Sequence, residues 1–550
     1  MQRLFAELAI ANTPKVNPYI MNGLATYYIP QALEYLDAVF KSASRSFPKG
    51  LEYVSYERCT PMEEFEEHTR PKNNKRQYDL ARSDVFLVKF YFKFHGVLLP
   101  PRYVYLPFVN EGGVFSLGGA AFHMTPVLSD KVISPGFDSV FVKLLRDKVI
   151  FKRFYHSMVI DGRREMTHIV WSAIYRKGSS GAKIPRTTKA LTTVAHYLFA
   201  RLGVSQTFQK YCGFVPVFGE EEINEVTYPK EDWVICQSTE IKPKTFIGKF
   251  YEPTRIRMAI PRSEWNLYVQ AMVAGFYYVV DNFPDRLKLS YIDNTNLWMI
   301  LLGHIVFSGH FSEGKLFANI EKHFTSISDY VDCIIIEKLK DINYYVDDFF
   351  DLLALILKNF NEITNQHEGN GNSVYNKNME ILYYAMFDIT AGIFRANFRL
   401  NEMATKKTLS AKDVTEIFNK HLRMGAIYSL ASGKVVASSL TYSGDHKYPK
   451  ITSLVTEQEN LPGSNRAKNS RKTVSSRDRI HTSMVEVGSL YFLPKSNPTP
   501  VVRTNMFLNI DLATGNIIRN PKLIEVLDRT QEMLSTLDCY TDDGISESLE

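Results

Sequence analysis

Long apolar runs are missing from this sequence. Nowhere do about 20 predominantly apolar residues follow one another, so a membrane-spanning helix is not expected. The opening residues MQRLFAELAIANTPK carry a short apolar patch interrupted by Glu7 and no small-residue cleavage pattern, which reads as a first helix and not a leader. Cysteine is scarce: Cys59, Cys212, Cys236, Cys333 and Cys539 are scattered, with no C-x-x-C pair. That argues against a structural zinc site or a disulfide framework and fits a reducing cytoplasm. The 13 histidines are dispersed, none paired with Cys or His at metal-ligand spacing, and read as surface or core residues. There is no G-x-x-x-x-G-K-[ST] loop, G-x-S-x-G elbow or H-E-x-x-H pair. A D-x-D-x-D cluster able to hold catalytic magnesium is also missing, so the chain is not expected to catalyse phosphoryl transfer alone.

What is present is an ordinary globular composition, with 45% hydrophobic and 23% charged residues over 550 positions, enough for about two to four domains. The net charge of +6 says little, but its distribution says more. Residues 463–479 hold six Lys/Arg and one acid, whereas the last thirteen residues, DCYTDDGISESLE, are acidic. Residues 1–45 show helical spacing through YYIPQALEYLDAVF; from about 51 to 155 short Val-, Phe- and Tyr-rich strands alternate with Gly and Pro. A polar basic insert, RPKNNKRQ at 70–77, reads as a loop. Helix returns over 186–212, mixed segments follow to about 290, and then a long helical region runs through NLWMILLGHIVF, YVDCIIIEKLKDI, VDDFFDLLALILKNF and EILYYAMFDITAGIFRANF. The stretch 366–378 is the clearest internal loop, and after about 425 come short strands, the basic stretch, a Pro-rich run and a helix near 521–535. No repeat at a 20–50 residue period is evident.

Tyr345-Val346-Asp347-Asp348 looks like the Y-x-D-D turn of reverse transcriptases. That chemistry needs two carboxylates on a hairpin between strands, holding metal ions about 4 Å apart. Here the flanks read as helix, with Asp347 and Asp351 at i, i+4 on the polar side, so a solvated helix face is the expectation. The basic stretch Arg466, Lys468, Arg471, Lys472, Arg477 and Arg479 sits among Ser and Asn. Long cationic side chains there suit phosphate contact, each neutralised phosphate releasing a counterion; a solvated charged loop is the equal alternative.

Two segments resemble the β subunit of cellular RNA polymerases. The first is LPFVNEGGVFSLGG at 106–119 followed by AAFHMTPVL. It is similar to a pattern of the family's protrusion domain, matching Pro107, Gly113, Phe115, Gly119 and Leu128 without a gap. Gly-permitted turns would flank a tight hairpin whose Phe points inward. The family's charged residue after the second Gly is missing, Ala121 standing nearby. The second segment, RDRIHTS at 477–483 running on to LPKSNPTPVVRTN, resembles the family's R-D-x-H-x-S/T stretch and the Pro-rich run after it, with His481 at the motif histidine. In the family this passage skirts the RNA–DNA hybrid and the rifamycin pocket. One extra residue lies between Asp478 and His481, Gly488 is displaced, and the T-P-E-G core reads N-P-T-P at Asn497 to Pro500, which removes the carboxylate the family uses there. The two segments lie some 360 residues apart in the family's order, and direct similarity covers about 60 residues.

The resemblance implies a multidomain α+β chain: a mixed protrusion-like domain built from both chain ends, with a largely helical, lobe-like middle. Its first part would be 1–160, the lobe-like region 161–425, and the protrusion return and fork-like region 426–550. Multisubunit polymerases of phiKZ-like large bacteriophages split β into separate chains, and this sequence looks like the N-terminal β piece. The resemblance further implies β C-terminal-half-like and β′-like partner subunits, contact with DNA template and RNA–DNA hybrid, and no membrane. Mg²⁺ would be held by a partner subunit and none by this chain. Residues Arg466, Lys468, Arg471, Lys472, Arg477, Arg479 and His481 would be the nucleic-acid contacts, in a host bacterial cytoplasm, phage nucleus or virion. Two other readings stay open: a virion structural or interaction protein, given 13% aromatics and no catalytic centre, and a stand-alone nucleic-acid-binding factor.

Overall fold

A computed structural model describes residues 16–69, 85–117, 120–124, 126–136, 139–144, 148–172, 174, 192–243, 250–307, 312–328, 331–365, 373–427, 430, 436–437, 455–458, 483–487 and 501–519, and single positions 521, 522, 525, 529 and 532. The chain divides into two compact units: residues 1–131 with 372–550, and residues 132–371. The first is built from both chain ends. The sequence breaks fall at 160 and 425, whereas the compact units divide at 131 and 371.

In the first unit, helix α1 (Leu24–Tyr28) leads into α2 (Ala32–Ser44). Ala32, Leu36, Val39, Phe40 and Ala43 recur at helical spacing and are all buried. The helix lies against β1 (Leu51–Arg58) and β2 (Val85–Phe94), and β2 pairs antiparallel with both β1 and β3 (Arg102–Pro107). The Phe40 ring centroid stands 4.6 Å from that of Phe90, and Tyr53 donates to Asp37 Oδ1 at 2.9 Å. Burying one such phenyl ring contributes about 1.5–3 kcal/mol. A short helix α3 (Pro61–Thr69) supplies Glu63, whose carboxylate meets the buried Lys89 ammonium at 2.7 Å. The Gly-rich segment then forms a hairpin, β4 (Val114–Leu117) with β5 (Ala120–Met124), and is followed by β6 (Val127–Asp130). Phe115 is fully buried and faces Phe122 across the hairpin. Leu128 is also buried, while Gly119 lies outside the described residues.

The second unit combines an eight-stranded sheet with helices. Strands β7 (Ile133–Gly136), β8 (Ser139–Lys143), the long β9 (Lys148–Ile160) and β10 (Arg163–Ser172) pair antiparallel in sequence order. The expected single helix over 186–212 is instead two, α4 (Val194–Leu202) and α5 (Val204–Cys212), with residues 175–191 outside the described set. Gly203, at φ +83°, leaves the helical region there, and Asp293 caps α5 by accepting from the Ser205 backbone N–H at 2.7 Å. With the two-residue strand Thr192–Thr193 beside β10, strands β11 (Val217–Gly219), β12 (Trp233–Ser238) and β13 (Arg257–Pro261) complete the eight within a region whose sequence reads as helix-rich. Helix α6 (Leu267–Asn282) is buried on most of its faces. That suits a helix covered on both sides, and its apolar run YVQAMVAGFYYVV has no solvent stripe. Helices α7 (Thr295–Val306), α8 (Glu313–Ser328), α9 (Cys333–Lys340) and α10 (Phe349–Asn365) follow as their periodicity predicts. Trp298, Phe199, Phe276 and His196 form an aromatic centre, in which the Trp298 indole donates to the Ile292 carbonyl at 2.6 Å.

The chain then returns to the first unit. Residues 373–378, the end of the loop expected at 366–378, enter a 3₁₀ turn and strand β14 (Lys377–Glu380), which pairs with β6. Nothing local favours that strand; it forms because β6 offers it a ladder. Helices α11 (Phe387–Ala404) and α12 (Ala411–His421) follow, α12 opening on a capping box between Ser410 and Asp413. Then come β15 (Val436–Ala437), β16 (Val455–Gln458), a helical turn α13 (Met484–Val487) and β17 (Val501–Arg503). The expected insert at 70–77 and most of the expected helix near 521–535 lie outside the described residues.

A candidate nucleic-acid interface

Two distant parts of the sequence meet in the first unit. Strand β16 pairs parallel with β6, Glu457 opposite Val127 and Gln458 opposite Leu128. Strand β17 pairs antiparallel with β16, and β15 with β5. The sheet therefore runs β14–β6–β16–β17, and the Gly-rich segment of residues 106–128 sits beside the strand that enters the basic stretch.

The described residues on either side of that stretch are held by hydrogen bonds. At its entrance β16 lies in the sheet just described. At its exit, Ser483 Oγ accepts from the Val374 backbone N–H at 3.0 Å, and the Tyr375 hydroxyl donates to Glu486 Oε1. Burial, reinforced by that carboxylate, pushes the Tyr375 hydroxyl well above its usual 10, so it is a donor at any physiological pH. The Asn505 N–H then donates to the Val487 carbonyl at 2.6 Å. Along β14 and β6, Ser129 donates to Asn378 Oδ1 at 3.0 Å and Lys377 meets Asp130 at 2.7 Å, all four largely buried. Buried polar groups cost stability unless paired, so these contacts fix strand register where apolar packing alone would allow slippage.

Arg466, Lys468, Arg471, Lys472, Arg477, Arg479 and His481 themselves lie outside the described residues. What the structure describes is the pair of anchors on either side. Ser483, Glu486 and Tyr375 are the anchor residues that sequence reasoning did not single out; Ser483 closes the RDRIHTS segment, but nothing local points to Tyr375.

The glycines of the first resembling segment have a conformational role. Gly112 and Gly113 adopt φ +77° and +74°, and the Gly112 N–H donates to the Asn22 carbonyl at 2.9 Å. The α1 entry at Gly23 crosses them backbone to backbone. The Pro107 end of β3 pairs with Val85.

The Y-x-D-D match departs from the expectation of a solvated helix face. Asp347 and Asp348 precede α10, and Asp348 accepts from the Asp351 N–H at 2.8 Å as a helix cap. Asp351 is engaged by Lys210 Nζ at 2.8 Å and the Tyr211 hydroxyl at 2.9 Å. These two partners, with a backbone hydrogen bond, outweigh partial burial and hold its carboxyl below the usual range. Among the described residues, no group of three or more His, Cys, Asp and Glu could hold a metal ion. Nor is any described helix long and apolar enough to cross a membrane.

With this geometry in place, comparison with known families is decisive on class. The chain matches the family model described as "Non-virion RNA polymerase subunit" over residues 10–528, and it belongs to that family. It is thus a subunit of an RNA polymerase, a member of a multisubunit nucleotidyltransferase assembly acting in transcription. No curated protein matches the chain.

Proposed function

We propose that this subunit is the N-terminal half of a split β-type subunit of a large-bacteriophage RNA polymerase and forms one wall of the DNA/RNA cleft. The observation that carries the reading is the sheet joining β6 to β16. In the cellular β family the two resembling segments share one neighbourhood despite their separation, and here Val127 and Leu128 pair with Glu457 and Gln458, whose strand pairs in turn with residues 501–503 of the second segment. A unit made from both chain ends, with residues 132–371 inserted, accords with a protrusion interrupted by a lobe. On this reading 1–160 and 426–550 supply the protrusion-like and fork-like parts and 161–425 the lobe-like part.

The chain's contribution is positioning. Arg466, Lys468, Arg471, Lys472, Arg477, Arg479 and His481 would touch the backbone of the hybrid or the downstream duplex, contacts that are sequence-independent and salt-sensitive. Catalytic Mg²⁺ would be held by a β′-like partner, where it assists in-line attack of the RNA 3′-hydroxyl on the nucleotide α-phosphate. Asp347, Asp348 and Asp351 do not fit that task, since Asp348 caps a helix and Asp351 is held in an ion pair. Promoter reading belongs elsewhere, and the site of action would be the infected bacterial cytoplasm. Membership in the polymerase family favours this over a virion structural protein or a stand-alone binding factor.

An affinity-tagged chain recovered from infected cells should bring down three or more large chains carrying D-F-D-G-D-like and remaining β sequences. Recovery with no chain of β C-terminal type would overturn the half-β assignment.

A further inference from the structure

Besides the basic stretch of its sequence, the first unit carries a cationic surface made by α11 and the end of α12. On α11, Arg395, Phe398, Arg399 and Glu402 recur at i, i+3, i+4 and i+7 and face outward; the two arginines and Phe398 are exposed. Lys420 and His421 end α12, and Arg423 follows it. The two helices approach closely at one point: a Cβ on Gly392 would stand 2.5 Å from the His421 carbonyl oxygen. This close crossing turns the last carbonyl of α12 toward α11. The negative end of that helix therefore faces α11, and Lys420 and Arg423 are left exposed beside it.

The charges act on one another. Partial burial, then Lys420, Arg399, Arg395 and Arg423, all hold the His421 imidazole below its usual 6.5. Arg395, Lys420 and Arg423 have no ion-pair partner among the described residues. Arg399 meets Glu402 at 2.6 Å, but Glu402 also holds Lys406 at 2.9 Å, so releasing Arg399 to another anion leaves the carboxylate paired. An exposed pair of this kind is worth at most about 1 kcal/mol, which a phosphate can replace. The other acids close in sequence are Asp388, two turns before Arg395, Glu416, one turn before Lys420, and Asp413, which Lys407 holds at 2.7 Å. Clustering like charges without neutralisation is costly, and a surface that maintains it fits a polyanion.

We infer that Arg395, Arg399, Lys420, His421 and Arg423 form a docking surface for the phosphate backbone of duplex DNA, made of residues other than those of the basic stretch at 466–479. Guanidinium groups suit this occupant because their planar forks meet phosphate oxygens in pairs. Contacts of these side chains to backbone phosphates carry no sequence preference. The inference requires membership in a polymerase and not the half-β assignment.

The test uses the assembled polymerase with the triple variant R395A/K420A/R423A. A control triple, R45A/K49A/K93A, removes the same charge from exposed positions of the same unit. Binding to a duplex of arbitrary sequence is followed by fluorescence anisotropy across a salt series. The patch variant should bind about tenfold more weakly at low salt. Its slope of log K against log[salt] should fall by about 2–3, near 0.9 for each phosphate that is no longer neutralised. The control should bind like the parent, and the charge-preserving pair R395K/R423K should retain most of the slope. If the triple variant melts early, R395A and R423A singly carry the test, each lowering the slope by about 0.9. An unchanged slope, or an equal fall in the control, overturns the inference. So does release of a partner subunit with DNA affinity retained, which would assign the surface to an acidic protein. A failed search for β-type partners would leave this slope intact, so the two proposals fail separately.

Discussion

The Cα of Gly23 lies against the peptide joining Gly112 to Gly113, so closely that a Cβ on Gly23 would stand 2.7 Å from the Gly112 carbonyl carbon and from the Gly113 nitrogen. The entry to α1 and the Gly-rich segment before β4 are thereby locked as two crossing backbones, with the Gly112 N–H bonded to Asn22. Gly113, which belongs to the β-type pattern, is explained by its φ of +74°, since a Cβ there would meet nothing closer than 3.4 Å; the steric demand of the crossing falls on Gly23.

Gly23→Ala should destabilise the first unit by about 3 kcal/mol or more, since both the φ of +80° and the close approach must be relieved. Gly96→Ala is the comparison: its φ is also +80° but nothing lies within 4 Å of the added Cβ, so a cost of only about 1 kcal/mol is expected. Urea unfolding of both variants reads the difference, and equal costs would contradict a steric role at Gly23.

His156 Nε2 stands 3.0 Å from Asp281 Oδ2, joining β9 to the buried end of α6, while Asp281 Oδ1 has no hydrogen-bond partner. His156→Ala would leave that carboxylate buried and unpaired, and should cost about 3–5 kcal/mol. Replacing both with leucine should recover most of that cost, because the penalty belongs to the orphaned charge. A double-mutant cycle by denaturant titration measures it, and additive effects would refute the pairing.

Burial pushes the His196 imidazole down from its usual 6.5 to about 4; its Nε2 interaction with the Trp298 carbonyl opposes this without reversing it. His323, beside the Tyr197 hydroxyl, is likewise held at about 4 by burial. Between pH 6.5 and 4 the unfolded chain binds protons that the folded chain refuses. Stability should therefore be full above pH 6.5 and fall as pH drops toward 4, by up to about 1.4 kcal/mol per pH unit for each histidine. Thermal melts across this range should show the decline, and His196→Phe should flatten it if the substituted ring is accommodated.

In the assembled polymerase, Asp347→Asn should leave nucleotide incorporation unchanged. Asp351→Asn should also preserve it while weakening the bond to Lys210, at a stability cost under about 1 kcal/mol because the pair is partly exposed. A fall in incorporation by orders of magnitude in either variant, with folding intact, would restore a metal role for this segment.

What the sequence by itself determined is local. The 3.6-residue spacing of Leu36, Val39, Phe40 and Ala43 specified α2, and the run VFLVKFYFKF specified β2, because periodicity of 3.6 or 2 is written into neighbouring residues. The missing metal and phosphate motifs were legible in the same way, as was the inward Phe115. Tertiary structure decided what depends on partners far along the chain. Strand β14 exists because β6 lies beside it, 249 residues from Ser129 to Asn378. Asp351 became an ion-pair partner only when α5 brought Lys210 to it. The cations of α11 and α12 became one surface because Gly392 admits the His421 carbonyl. Register and charge neighbourhood are set by packing between separate elements, and no local pattern encodes them.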